Sequence, residues 1–140
     1  MRIFKFGGAS IKDADGVKNL VKVLRTVGHD KTLVVISAMG KTTNAIEVVI
    51  DNYFNNKKEL QSSIQDVKKY HNGILLDLFE NENHAVFNII SNLFQDLSIF
   101  FDRNKSPDYN YVYDQVIGYG ELISTTIVST YLNELGLKTN

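Results

Sequence analysis

The N-terminal stretch "KFGGAS", Lys5 to Ser10, combines residue types that can hold an anion. It continues the apolar start "RIF", and "RIFKF" predicts a short strand. Gly7 and Gly8 then leave backbone N–H groups open to close approach by an anion, because no Cβ stands in the way. Lys5 adds a positive charge and Ser10 a hydroxyl donor. Taken alone, the stretch is equally typical of a strand end whose lysine reaches solvent, so both interpretations stay open.

A second polar loop, in "VVISAMGKTTN", follows a run of β-branched residues. Its "GKT" resembles a P-loop, but that motif needs a glycine five positions before Gly40, where this chain has Val35. Ser37 and Gly40 lie at the carboxyl end of the predicted strand, the edge at which open parallel sheets bind ligands. Thr43 or Asn44 is expected to cap the helix that follows.

The third stretch, "GYGELIS", matches the dinucleotide-binding pattern G-x-G-x-x-G for four positions only. Ile123 stands where the last glycine belongs, and the chain has no room for the acidic residue that should follow. Glu121 falls in the first turn of a predicted helix, where a carboxylate also complements the helix dipole. On its own, this stretch does not indicate a site.

The three histidines do not form a metal site in the sequence pattern, because none has acidic neighbours at ligand spacing. His71 falls on an apolar stripe and is expected to be a hydrogen-bonded core histidine. His29 and His84 fall in predicted turns. No Ser–His–Asp arrangement is indicated either.

The elements around the first two loops alternate strand, helix, strand, helix, which predicts a parallel sheet. A helix from Asp13 has apolar residues at helical spacing, and Gly28 ends it. "TLVVISA" is almost continuously apolar, which predicts a strand buried on both faces. The next helix carries its own apolar stripe, comprising Ile46, Val49, Ile50 and Tyr53.

The middle of the chain predicts an antiparallel helical hairpin with "ENEN" as its turn. The first helix has a stripe of Leu60, Ile64, Val67, His71, Ile74 and Leu78. The second has Val86, Ile90, Leu93, Leu97 and Phe100 or Phe101. "SPDYNYVYDQVIG" indicates a short helix and a turn, and a last helix is predicted over 120–135 with Ile123, Ile127, Tyr131 and Leu135 as its stripe. Gly136 is expected to end it in a left-handed conformation.

The composition excludes several classes of protein. With 140 residues, 44% hydrophobic residues and 22% charged residues, the chain can form one packed core. The formal net charge of -1 gives no field that favours nucleic acid or an acidic membrane. The absence of cysteine excludes disulfides and thiolate metal sites. No apolar run approaches a membrane span of about 18 residues, and we expect a cytoplasmic protein.

Taken in order, "FKFGGAS", "VVISAMGKTTNAI" and "GYGELISTTIVSTYLNELG" resemble the aspartokinase branch of the amino acid kinase family. The resemblance covers essentially the whole chain. It implies an α/β protein with the amino acid kinase (carbamate kinase-like) fold, a three-layer sandwich around a parallel sheet. Residues 1–140 are then expected to be the N-terminal portion of that domain, with a helical insertion at about 57–104. Ala9 departs from the family, where threonine is common, but Ser10 keeps a hydroxyl.

The resemblance also implies a reaction and a role for each matching residue. Aspartokinases transfer the γ-phosphoryl of MgATP to the side-chain carboxylate of L-aspartate, the first step toward lysine, threonine and methionine. Lys5 would be the catalytic residue. The phosphates of ATP would be bound by Lys5, Gly7, Gly8, Ser10, Ser37 and Gly40, and aspartate by Thr43 and Glu121. No protein ligand to metal is implied, since Mg²⁺ would be held mainly through the phosphates.

The resemblance further implies how the chain would relate to a complete enzyme. Contacts to the nucleotide base come from the later half of the kinase domain in this family, and homodimers form largely through regulatory domains, so residues 1–140 alone are expected to lack useful kinase activity. Two alternatives remain. One is another member of the family, namely an acetylglutamate, uridylate or glutamate 5-kinase. The other is a non-catalytic binding module on the same fold.

Overall fold

The computed structural model describes all residues from 1 to 140. Strand β1, Arg2–Phe6, and strand β2, Thr32–Ile36, pair in parallel, and Lys5 lies beside Val35 in the register. Helix α1, Ala14–Val27, connects the two strands. Because parallel strands need such a crossover, the predicted strand–helix–strand unit and the α/β class are confirmed.

The two faces of this small sheet differ, which corrects the prediction that the second strand is buried on both faces. Alternate residues of a strand point to opposite faces. Phe4, Phe6, Val34 and Ile36 pack against the core. Ile3, Leu33 and Val35 point the other way and are 63%, 48% and 41% exposed. The helices of this chain therefore cover one face of the sheet and leave the other face open.

Helix α1 begins and ends where its sequence predicts. Asp13 caps its N-terminus, with the carboxylate accepting a hydrogen bond of 2.8 Å from the Gly16 N–H. Gly28 ends it at φ +83°, a conformation that favours glycine. Between β1 and α1 the chain makes one short 3₁₀ turn, Gly8–Ile11, and Ile11 is fully buried beneath it. The glycine pair is thus followed at once by a buried anchor.

Five more helices complete the chain. They are α2, Thr42–Asn55; α3, Leu60–Leu78; α4, Ala85–Arg103; α5, Tyr109–Val116; and α6, Tyr119–Glu134. Helices α3 and α4 pack together as the predicted hairpin, while α3 also packs on α2 and α4 on α6. Reading this hairpin as an insertion stays a prediction. No helix has both the length and the apolar character that crossing a bilayer requires.

The predicted apolar stripes account for most of the core, with differences in three helices. In α2, the predicted Tyr53 is half-buried. In α4, Phe94 is buried where the spacing favoured Leu93, which is half-buried. In α6, Val128 and Leu132 are buried, whereas the predicted Tyr131 and Leu135 are half-buried. The left-handed stop at Gly136 is confirmed, with φ +83° and the Leu137 N–H bonded to the Leu132 carbonyl at 2.9 Å. The helix surfaces that face neighbours are therefore set by packing rather than by strict spacing.

His71 is a fully buried histidine of α3, as predicted. Its Nδ1 bonds to the Val67 carbonyl at 2.8 Å, which makes Nδ1 the protonated nitrogen of the neutral ring. The centroid of its ring lies 5.9 Å from that of the Phe94 ring and 5.1 Å from that of the Tyr70 ring. Burial lowers the pKa of His71, partly offset by the bond to Val67.

This lowered pKa predicts a loss of stability in acid. An unfolded histidine titrates near pH 6.5, so below that pH the unfolded chain binds a proton that folded His71 does not. We expect the unfolding free energy to fall from about pH 6.5 downward, by at most about 1.4 kcal/mol per pH unit from this residue. Urea titrations of the wild type and of His71→Gln between pH 7 and pH 5 measure it. The variant should lose part of the slope, and exposed His29→Gln should keep it. Equal slopes in all three proteins contradict the assignment.

Candidate functional site

The first two polar loops meet where β1 and β2 end. The Ser37 N–H donates to the Phe6 carbonyl at 3.1 Å, which continues the sheet by one bond. The Gly40 N–H then donates to the Gly8 carbonyl at 2.9 Å. Because parallel strands bring their carboxyl ends to one edge, this pairing places the glycine turn and the second loop side by side. Four of the predicted residues, Gly7, Gly8, Ser37 and Gly40, therefore fall at one edge of the sheet.

The two glycines of the turn differ in what surrounds them. A Cβ on Gly8 would lie 2.7 Å from the Gly40 carbonyl oxygen and 2.8 Å from that of Ala38, closer than real Cβ atoms come. A Cβ on Gly7 would meet nothing within 4 Å. Gly8 is thus required by the close approach of the second loop. Gly7 faces open space, and its N–H donates to no carbonyl of the chain.

This difference predicts opposite results for two alanine substitutions. We expect Gly8→Ala to destabilise the fold by about 1–3 kcal/mol, because its methyl group must push apart two backbone carbonyls. Gly7→Ala should change the unfolding free energy by less than about 0.5 kcal/mol, since its φ of -76° suits any residue. Urea titrations of both variants measure this. Equal destabilisation by the two variants contradicts the separation of their roles.

The start of α6 packs against the second loop and brings the third stretch into the same region. A Cβ on Gly120 would lie 3.0 Å from the Ala38 Cβ, so this helix approaches as closely as glycine allows. The Ser124 hydroxyl is fully buried and donates to the Ser37 carbonyl at 2.8 Å. Glu121 lies between these two contacts, in the first turn, with an exposed side chain. Ser124 was not predicted as a site residue, although it stands within the quoted motif.

The predicted residues Thr43 and Asn44 lie at the N-terminus of α2. The prediction that one of them caps this helix is wrong. The helix already begins at Thr42, whose buried hydroxyl donates to the Met39 carbonyl at 2.6 Å. Thr43 and Asn44 therefore lie inside the first turn and make no side-chain cap. Their N–H groups find no acceptor in the chain, as is usual for a first helical turn. The positive end of the helix dipole adds to these two donors.

Lys5 and Ser10, two of the predicted site residues, lie beside the edge at which the two loops meet rather than within it. Lys5 lies on the open face of the sheet and is exposed. The one contact within 4 Å between a basic and an acidic side chain is that of His84 Nε2 with Glu134 Oε2, at 3.1 Å, so Lys5 has no carboxylate partner. Ser10 lies in the 3₁₀ turn, where its N–H donates to the Gly7 carbonyl at 3.0 Å and its side chain is exposed. The functional roles of all these residues stay predictions.

That no protein residue at this edge binds a metal stays a prediction. No group of three or more His, Asp or Glu side chains is placed to hold an ion. Glu121 is the only carboxylate among the residues that define the edge.

Comparisons of sequence and of structure with known proteins both point to aspartokinases as similar proteins. Residues 1–140 match the amino acid kinase family. Chloroplastic aspartokinase 1 of Arabidopsis thaliana is 25% identical over 143 residues, covering 97% of this chain and 24% of that protein. The bifunctional aspartokinase/homoserine dehydrogenase 2 of Escherichia coli is 25% identical over 136 residues, covering 97% and 16%. This chain thus spans a quarter or less of the length of these relatives.

Two solved structures of E. coli aspartokinase III share the fold at 20% sequence identity. The complex with lysine and aspartate superposes with a TM-score of 0.82, covering 99% of this chain and 30% of that one. The complex with aspartate and ADP gives 0.83, covering 97% and 29%. The resemblance to aspartokinases predicted from the three motifs is therefore confirmed. Since the family match spans every residue and the fold agrees, this chain belongs to the amino acid kinase family.

Proposed function

We propose that this chain forms the phosphoryl-facing and aspartate-facing part of an aspartokinase. The convergence of its three motifs carries the proposal. The glycine turn meets the second loop through the bond from Gly40 to Gly8, and α6 meets the same loop through the bond from Ser124 to Ser37. One edge of the sheet thereby gathers backbone donors for a phosphate and a carboxylate for an ammonium group. The aspartate and ADP bound in the related structure are the matching ligands.

The chemistry requires positioning rather than a general base. An aspartate side chain has an unperturbed pKa of about 3.9 and is already ionised at pH 7. One of its oxygens attacks the γ-phosphorus of ATP, the bond from that phosphorus to the β,γ-bridging oxygen breaks, and ADP leaves with the electron pair. The enzyme must bring two anions together and stabilise charge on the transferring group. Mg²⁺, carried in by the nucleotide, neutralises part of the phosphate charge.

Each side of this edge suits one substrate. On the phosphoryl side, the free Gly7 N–H and the open space beside it leave room for an oxygen, with Lys5 as the cation and Ser10 as a further donor. On the aspartate side, the unpaired N–H groups at Thr43 and Asn44 suit a carboxylate, and exposed Glu121 suits the α-ammonium group. Ser37 and Gly40 line the crevice between the two sides.

Trapping the acyl phosphate tests the reaction. Aspartyl phosphate reacts with hydroxylamine to give a hydroxamate, which distinguishes transfer to a carboxylate from ATP hydrolysis. We expect L-aspartate-dependent hydroxamate and ADP from the polypeptide as expressed from its own gene, and none from residues 1–140 alone. Acetylglutamate, uridylate and glutamate serve as competing acceptors. Preference for one of these assigns the chain to another branch of the family. Robust turnover by residues 1–140 contradicts the second expectation.

Binding to the 140-residue chain separates an enzyme part from a non-catalytic module. In ¹⁵N–¹H NMR titrations, L-aspartate should shift the amides of Thr43, Asn44 and Glu121, and ADP should shift those of Gly7 and Gly8. D-aspartate is the matched control, since it keeps the charges but misplaces the ammonium group. Shifts that are identical for the two enantiomers contradict a built aspartate site.

A further inference from the structure

A second cavity, separate from the candidate site, opens between α2, α3 and the 3₁₀ turn. Its volume is about 640 Å³, within the range of about 300–1,000 Å³ typical of small-molecule sites. Of the predicted site residues, only Gly40 lines it. On α2, a residue advances about 100° per position, so the cavity-lining Ala45 and Val48 lie on the side opposite to Thr43. The cavity and the proposed aspartate site therefore occupy opposite sides of one helix.

The walls of the cavity are largely apolar, and the hydroxyl groups that line it already donate to carbonyls of the chain. Its walls include Ala45, Val48 and Val67. Three hydroxyl groups also line it, but Thr42 already donates to the Met39 carbonyl at 2.6 Å, Ser63 to the Leu60 carbonyl at 2.8 Å, and Tyr70 to the Lys12 carbonyl. A polar group placed deep in this cavity would lose its hydrogen bonds to water without replacement. The interior thus suits the hydrocarbon part of a ligand.

The charged groups stand at the rim. Lys12 and Lys41 line one side, and Asp66 of α3 lines the other. All three are exposed, and none lies within 4 Å of an oppositely charged group. Outside the lining lies the Asp13 carboxylate, which accepts a hydrogen bond from the Gly16 N–H; burial, together with this carboxylate, raises the pKa of Tyr70. Among the side chains that line the cavity, two ammonium groups stand against one carboxylate. Charge complementarity therefore favours a ligand with a negative head group at the rim.

Tyr70 fixes one wall of the cavity. Its hydroxyl donates to the Lys12 carbonyl, which links α3 to the chain just after the 3₁₀ turn. The same hydroxyl oxygen lies where a Cβ on Gly40 would come within 2.5 Å, so the ring packs directly on the second loop at a residue with φ +56°. A displacement of the Tyr70 ring would therefore also displace Gly40, which lines the candidate site as well.

From this geometry we propose that the cavity is a second binding site, for a small organic carboxylate with an apolar body. The hydrocarbon part occupies the space between α2 and α3, and the carboxylate pairs with Lys12 and Lys41 at the rim. The proposal does not depend on the function proposed above, since it concerns a different side of α2. A ligand in this cavity would contact Gly40 from the side opposite to the candidate site.

Three probes of one shape test the charge requirement on the 140-residue chain. They are 3-phenylpropionate, the neutral 3-phenylpropionamide and the cationic 3-phenylpropylamine. In ¹⁵N–¹H NMR titrations, we expect the carboxylate to shift the amides of Ala9, Gly40, Lys41 and Tyr70 with a saturable Kd in the millimolar range or below. The amide should bind at least about fivefold more weakly, and the amine should not saturate. Equal binding of all three probes, or no saturation by the carboxylate, overturns the proposal.

Substitutions locate the site independently of the probe. Lys12→Met and Lys41→Met keep an apolar stem and remove the charge, so each should weaken carboxylate binding by about threefold to tenfold. Asp66→Asn should strengthen it slightly, and Lys22→Met on α1 should leave it unchanged. Ala45→Leu, which fills the space, should abolish it while the far-ultraviolet circular dichroism stays that of the wild type. Retained affinity in both lysine variants, or shifts centred on Thr43 and Glu121, contradicts the assignment.

Discussion

Replacing Lys5 by alanine should reduce kcat by about 100-fold to 1,000-fold, the usual cost of removing one group that stabilises developing charge. The KM for aspartate should change less than about threefold, because the lysine would act on the transferring phosphoryl rather than on the acceptor. The measurement is steady-state hydroxamate formation by the polypeptide expressed from its own gene, with aspartate varied at saturating MgATP.

Two further variants make this result specific to the position of the charge. Lys5→Arg keeps the charge but replaces a compact ammonium by a planar fork, so it should recover only part of kcat. Lys18→Ala removes an exposed lysine from α1 and should leave both constants unchanged. A Lys5→Ala enzyme within a few-fold of the wild-type kcat rules out the catalytic role, whatever happens to KM.

Glu121→Ala should raise the KM for aspartate rather than lower kcat. A hydrogen bond to a charged group contributes about 1.5–3 kcal/mol, so losing the partner of the aspartate ammonium group should raise the aspartate KM by about 10-fold to 150-fold. The KM for ATP should stay nearly constant. Aspartate saturation curves at fixed MgATP give both values.

The structure provides a matched control for this carboxylate. Glu134 lies in the last turn of the same helix and pairs with His84. Glu134→Ala should leave the aspartate KM unchanged. Glu121→Gln, which keeps the shape and an acceptor oxygen without the charge, should raise the aspartate KM less than the alanine variant does, because its amide can still accept a hydrogen bond from the ammonium group. An unaltered aspartate KM in Glu121→Ala contradicts its placement beside the substrate.

Periodicity and turn residues were sufficient to predict most elements of this fold. The stripe through Ile64, Val67, His71 and Ile74 is buried as predicted, because a 19-residue amphipathic helix has one way to cover its apolar face. The glycine stops at Gly28 and Gly136 were also recognisable, since both require a positive φ. These features depend on local geometry, which a single sequence expresses directly.

The failures have a different origin. The run "TLVVISA" shows that both faces of a strand suit burial, but whether Leu33 and Val35 are covered depends on what packs there. The start of α2 depends on Gly40, whose φ of +56° turns the chain so that Thr42 donates back to Met39. Helical spacing alone could not separate Phe94 from Leu93, which neighbouring helices decide.

The candidate site shows the same division. The glycines and the polar loops could be found from their order along the chain, since parallel strands end at one edge. The sequence could not predict that glycine is required at Gly8 but not at Gly7. That requirement depends on the carbonyl oxygens of Ala38 and Gly40 across the loop. The buried bond from Ser124 to Ser37 joins residues 87 positions apart, and a serine within a helix carries no signal of such a partner.

The open face of the sheet links two properties that are usually treated apart. Lys5 shares this face with Ile3, Leu33 and Val35, and its side chain is exposed to solvent. At 4 Å, a pair of unit charges interacts by about 1 kcal/mol in bulk water and about 4 kcal/mol at an effective dielectric constant of 20. Any surface that covers the three apolar side chains also dehydrates the neighbouring lysine. Hydrophobic association on this face would therefore strengthen the attraction between the Lys5 ammonium group and any anion that reaches it, so that covering the apolar patch and strengthening the attraction exerted by its charged neighbour become a single event.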